Sequence, residues 1–222
     1  MERTLKVTGK GRLLVKPDRI RLCLTCEDTC REYDRVLKMS GETTEALKDV
    51  FESLGFDRKQ LKTLHFNIET VYENYQDSSN AWKRRFDGYK YVHRMKIEFD
   101  ADNGLLGKVL YALSHCPAEP EFTIEYTVAD PEKCKNELLA KAVRDSGEKA
   151  AVLADAAGVK LGDIVAIDYS WGEIDFVTRP VNELMMKRSE IACAPARAYN
   201  IDIEADDIDV SDTVTVVWKI GS

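Results

Sequence analysis

Apolar and polar residues alternate through Leu5-Lys6-Val7-Thr8-Gly9, and the pattern breaks at Gly9-Lys10-Gly11, which reads as a hairpin turn. Alternation resumes over residues 13–26, with Ile20, Leu22 and Leu24 on one face. Pro17-Asp18 interrupts it; proline lacks a ladder donor and marks an edge position or a bulge. Residues 33–54 switch to a helical period, because Tyr33, Leu37, Ser40, Thr44, Leu47, Phe51 and Leu54 recur at steps of three and four. Gly55 suits the end of that helix, and Asp28 or Thr29 its start.

Strand character returns over 61–75 and again over 89–99. There Tyr89, Tyr91, His93, Met95, Ile97 and Phe99 alternate with a face that is charged apart from Val92. The polar run Gln76-Asp77-Ser78-Ser79-Asn80 between them predicts a long hairpin. A short helix follows over 103–115, ended by Pro117 and Pro120, then a strand over 122–128. Asp130 caps and Pro131 opens a long alanine-rich helix that Gly158 ends. Strands over 161–171 and 212–220 remain, while residues 176–198 carry no period and read as a long loop. The order is ββαββαβαβ with a final strand, with helices set among hairpins, which predicts an α+β fold of antiparallel-rich sheets against about three helices.

Length and composition narrow this picture. The chain has 222 residues, enough for one large domain, and 39 acidic against 32 basic side chains give a net charge of -7. That balance disfavours a general attraction to nucleic acid or anionic membranes. The first residues lack a basic region followed by an apolar one, and no run reaches the roughly 20 apolar residues of a spanning helix. Six irregularly spaced cysteines do not form a disulfide scaffold, so a cytoplasmic protein with free thiols is expected.

Few residues suggest chemistry. Cys23, Cys26 and Cys30 form a C-x2-C-x3-C cluster of soft ligands, yet Cys23 and Cys26 differ by an odd number on a strand and must face opposite sides. Cys26 and Cys30 near a strand-to-helix junction are redox candidates. His65 and His93, on the two arms of the hairpin, are placed to sit opposite each other and are the other candidate metal ligands. Trp82-Lys83-Arg84-Arg85-Phe86 sets an aromatic and three cations near the hairpin tip, a candidate interaction patch for a neighbouring subunit or a nucleic acid. Asp202, Glu204, Asp206, Asp207 and Asp209 read as a solvated acidic edge that blocks unwanted sheet extension. No phosphate loop, nucleophile elbow, zinc-protease or dinucleotide motif occurs, so no catalytic residue and no cofactor is expected.

Four places together resemble the SIMPL family of bacterial periplasmic and stress-defence proteins. They are Val7-Thr8-Gly9-Lys10-Gly11 with Val15-Lys16-Pro17-Asp18; Gly88-Tyr89 with Asp102-Asn103-Gly104-Leu105-Leu106-Gly107; the helix end Ala150-Ala151-Val152-Leu153-Ala154-Asp155-Ala156-Ala157-Gly158-Val159-Lys160-Leu161-Gly162; and the final strand after Ile203-Glu204. The chain departs from the family in having Ser146-Gly147 in the long helix and Asp206-Asp207 before the last strand. The resemblance implies a two-lobed α+β domain, taken here as lobes of about 1–100 and 101–222, and assembly into homo-oligomers. It implies no established enzyme activity. The expectation is a non-enzymatic oligomeric scaffold or binding protein, with a protein partner and a link to stress defence. The alternatives are a thiol- or metal-dependent sensor or enzyme using Cys23, Cys26 and Cys30, and a nucleic-acid binder using Lys83, Arg84 and Arg85.

Overall fold

The computed structural model describes residues 3–77, 80–169, 174–179 and 203–221. The elements are β1 (Thr4–Val15), β2 (Arg19–Cys30), α1 (Tyr33–Ser53), β3 (Lys62–Gln76), β4 (Trp82–Asp100), α2 (Asn103–Ser114), β5 (Glu121–Thr127), α3 (Pro131–Ala156), β6 (Lys160–Asp168), β7 (Val177–Thr178) and β8 (Ile208–Gly221). This is the expected α+β class. The chain forms two compact units, and the division does not fall near residue 100. One unit combines Met1–Asp18, Thr127–Thr178 and Ala205–Ser222; the other combines Arg19–Tyr126 and Arg179–Glu204. The reason is strand pairing, since the first long strand pairs with the last.

In the first unit β8 lies between β1 and β6 and runs antiparallel to both. Helix α3 covers the β1 and β8 side. Its start is fixed as the sequence predicts, with the Asp130 carboxylate accepting the Lys133 N–H at 2.9 Å and Pro131 in the first turn. Gly158 ends it with a left-handed φ of 66°. Its buried stripe recurs every four residues as Leu138, Ala142, Ser146, Ala150 and Ala154. These small side chains bring the helix backbone close to β1. A Cβ at Gly9 would overlap the Ala142 carbonyl and Ser146, and one at Gly11 would overlap the Leu138 carbonyl. Gly9-Lys10-Gly11 is therefore not a turn: β1 runs straight through it, and the glycines admit the helix. Leu13, Val128, Leu138, Phe176, Ile208 and Val210 close the core at one end, and Ala142, Val214 and Val216 continue it.

Pro17 sits in the connector between β1 and β2, which belong to different sheets. Asp18 holds that connector, donating its N–H to the Thr127 carbonyl at 3.1 Å and accepting the Ala129 N–H on its carboxylate at 2.7 Å. Within the span expected to be a loop, Phe176 is buried and Val177–Thr178 is strand; residues 180–198 lie outside the described residues.

In the second unit the strand order is β3-β4-β2-β5. Leu22 pairs with Ile97 and Leu24 with Met95, putting the apolar alternation of both strands on one face. Helix α1 packs Val36, Ser40, Leu47 and Phe51 into that core, and α2 adds Leu106, Val109 and Leu113. Gly55 has the left-handed φ, 92°, expected of a helix end. The start of α1 differs from expectation. β2 continues through Asp28 and Thr29 to Cys30, and the cap position is Glu32, which makes no side-chain capping bond.

Candidate functional site

The β3–β4 hairpin changes character along its length. From Tyr89 to Phe99 every second residue of β4 is buried or nearly so against α1. From Trp82 to Phe86, and along almost all of β3, side chains are exposed on both faces. Register sorts them. Tyr72 stands opposite Phe86, Asn74 opposite Arg84 and Gln76 opposite Trp82 on one face; Glu73 opposite Arg85 and Tyr75 opposite Lys83 occupy the other.

The first face is aromatic. Tyr72 and Phe86 meet edge-on at 6.1 Å, Phe86 and Tyr89 at 5.2 Å, and Tyr89 and Tyr33 at 5.2 Å, a ladder that ends at the start of α1. The Arg84 guanidinium lies 4.8 Å over the Tyr72 ring. Trp82 is the most exposed of the large apolar side chains in this stretch, at 71%. The second face is ionic: Glu73 accepts from Arg85 at 2.6 Å, Arg85 also lies over Tyr75, and Lys83 pairs with Asp77 at 2.7 Å. The structure thus brings Trp82, Lys83, Arg84 and Arg85 onto one strand but splits them between faces. The cations are engaged with their own hairpin, which leaves a weak case for phosphate neutralisation. The partners Tyr72, Glu73 and Tyr75 were not singled out from the sequence, because only the register reveals them.

The histidines do not face each other. A bulge between Thr63 and His65 places Phe66 opposite His93 and His65 opposite Arg94. His65 is exposed; His93 is buried, stacked edge-on to Phe66 at 5.2 Å. Its Nε2 lies 2.9 Å from the Thr63 hydroxyl and its Nδ1 3.2 Å from the Thr44 hydroxyl. Thr44 donates its single hydroxyl proton to the Ser40 carbonyl at 2.7 Å, so Nδ1 donates to Thr44 and neutral Nε2 accepts from Thr63. Burial, helped by the Lys48 charge, holds the His93 pKa below its ordinary value. His93 therefore pins α1, β4 and β3 together as a neutral ring.

The cysteines are dispersed along β2. Cys26 is buried in the core, Cys23 lies on the opposite face and Cys30 closes the strand. Cys26 and Cys30 are four strand positions apart, roughly 13 Å, beyond disulfide reach. Burial pushes the Cys26 thiol up to about 11, with Cys116 adding to the effect. Burial, then the Glu125 charge, raises that of Cys23. Glu125, which sequence reading passed over, is a buried carboxylate held by Arg179 at 2.6 Å and Arg21 at 3.6 Å. Among the described residues no three His, Cys, Asp or Glu side chains cluster as a metal site would require. In the acidic run, Asp209 lies on β8 and pairs with Arg12 at 2.6 Å. No helix of the described residues is long and apolar enough to cross a membrane.

A family model described as SIMPL, protein of unknown function (DUF541), matches residues 5–218. The 26 kDa periplasmic immunogenic protein of Brucella melitensis biotype 1 is 25% identical over 220 residues, spanning 97% of this chain and 84% of that protein. The protein of the same name from Brucella abortus (strain S19) is 24% identical over the same shares. Both names say periplasmic, which overturns the cytoplasmic location expected from the first residues and the cysteine spacing. The physical reason is that a folded unit with few cysteines carries the same surface and core pattern in either compartment.

Proposed function

The chain belongs to the SIMPL family, whose function is unknown, and we propose that it acts without catalysis, as an oligomeric scaffold or binding protein of the periplasm. The observation that carries this reading is the aromatic ladder on the outer half of the β3–β4 hairpin. Among the described residues, Tyr72, Trp82 and Phe86 are exposed on one face, rimmed by Arg84. Aromatic side chains and arginine are what well-packed protein interfaces concentrate, and exposed apolar patches on this scale mark contact surfaces. The opposite face, neutralised by its own ion pairs, stays soluble.

Light scattering on a size-exclusion column tests it. The wild-type chain is expected to run as a closed oligomer, and Trp82→Ser with Phe86→Ser to shift it to smaller species while the circular dichroism stays unchanged. A wild-type monomer at both dilute and concentrated loading would end this reading.

A further inference from the structure

Among the described residues the three-stranded sheet of the first unit has no further strand on either edge, β1 or β6, and the two edges are complementary. On one edge, β1 pairs with β8 through Val7, Gly9 and Gly11, so the N–H groups of the intervening residues point outward. The Lys10 N–H confirms the phase: it donates not to β8 but to the Asp145 carboxylate of α3 at 2.6 Å. Asp145 thereby closes the edge at that point. Toward the N-terminus of β1 the edge stays open, and Lys6 and Thr8 border a shallow groove whose far wall is α3, with Val152 68% and Leu153 49% exposed. An open strand edge beside an apolar helix face is the geometry that receives an added strand.

The other edge is β6. It is exposed along almost its whole length, with Ile164, Val165 and Ile167 presented to solvent, and its register with β8 shifts between Leu161 and Ile164 and again between Ile164 and Ala166. Soluble proteins seldom leave so apolar an edge strand uncovered. Charge adds a smaller match: Asp163 and Asp168 flank the apolar run and Lys6 borders the receiving edge, while Lys149 is paired with Asp145 at 2.6 Å and Glu148 also lines the groove.

We propose that β6 of one copy adds to the open edge of β1 in the next, seating Val165 or Ile167 against Val152 and Leu153. This rests on the oligomeric reading above and supplies a contact distinct from the hairpin. β1 and β6 both run antiparallel to β8 and so point the same way. A copy generated by rotation about an axis along the strands keeps that direction, so β6 meets β1 in parallel and the contact is head-to-tail. A two-fold axis would instead pair β1 with β1 or β6 with β6.

Two experiments on the full-length chain decide this. In light scattering, Ile167→Lys and Val152→Lys are each expected to raise the concentration at which the oligomer dissociates by about tenfold or more, because each buries a charge in the contact. Both positions are exposed, so the melting profile of dissociated protein should not move. In cross-linking, Lys6→Cys and Ile167→Cys are mixed with a short thiol-specific reagent, and wild-type protein sets the background of native thiols. The mixed product is expected to dominate over either variant alone. A wild-type oligomer unmoved by both lysine variants, or cross-links only within one variant, would overturn the β6–β1 contact and leave the scaffold reading standing. A wild-type monomer at every concentration would overturn both.

Discussion

Strand β4 contains two halves that both set large apolar side chains on one face and meet opposite fates. From Tyr89 to Phe99 the apolar face lies under α1, and Tyr91, Met95, Ile97 and Phe99 are buried. From Trp82 to Phe86 no helix of the described residues lies over that face, and Trp82 and Phe86 stand in the open. Period-two patterning therefore specifies a strand and a face but not what covers that face. In the inner half the cover comes from within the unit; in the outer half, on the reading above, it comes from another molecule.

The largest effect separating the halves is expected from Met95→Ala, a residue 1% exposed. Removing its side chain leaves a cavity under α1, and unfolding in denaturant should show a loss of about 2–5 kcal/mol. A loss below about 1 kcal/mol would mean that the inner half is no better packed than the outer one.

Gly88 marks the junction between the halves. A Cβ there would stand 2.7 Å from the Cys30 carbonyl oxygen, where the end of β2 crosses close to β4. Gly88→Ala should cost about 1–3 kcal/mol as that contact opens. It should also disturb the ladder from Phe86 to Tyr89, read as a change in the near-ultraviolet circular dichroism.

His93 sharpens the comparison through pH. Its folded pKa lies below the ordinary 6.5, so between that value and its folded pKa the unfolded chain binds the extra proton. The stabilisation from the neutral ring is complete above about pH 6.5 and is lost as pH falls through the folded pKa. His93→Gln, which can still bond Thr63 and Thr44 but cannot titrate, should flatten the stability profile in that window. It should lower stability at neutral pH by about 1 kcal/mol through poorer bonding geometry. An unchanged slope in the variant would show that His93 does not carry the pH dependence.

What the sequence made legible follows the same division. Local rules located the inner strand alternation, the helical period of α1, the Asp130–Pro131 start of α3 and the Gly55 and Gly158 stops. Features that depend on a distant partner were not legible. Gly9 and Gly11 look like a turn until Ala142 and Ser146 are seen against them. A single bulge before His65 separates it from His93, and a bulge leaves no reliable mark in one sequence. Lys83, Arg84 and Arg85 look like a free basic patch until β3 supplies Tyr72 and Glu73 and the residue after it, Asp77, pairs with Lys83. Glu125 gains its meaning only from Arg21 and Arg179.

The smallest expected effect on folding is at the outer end. Trp82 is 71% exposed and is not part of the buried core. Trp82→Ser should therefore change the unfolding free energy by less than about 0.5 kcal/mol, the range of ordinary surface substitutions. An exposed tryptophan contributes little to a fold but a great deal to a contact, where burying a large aromatic side chain is among the strongest single terms. The discriminating result is the pair of measurements taken together. Stability unmoved with weakened self-association places the value of Trp82 in a neighbouring molecule. Stability lowered by as much as Met95→Ala would instead mean that Trp82 is covered within its own chain, and the two halves of β4 would no longer differ in kind.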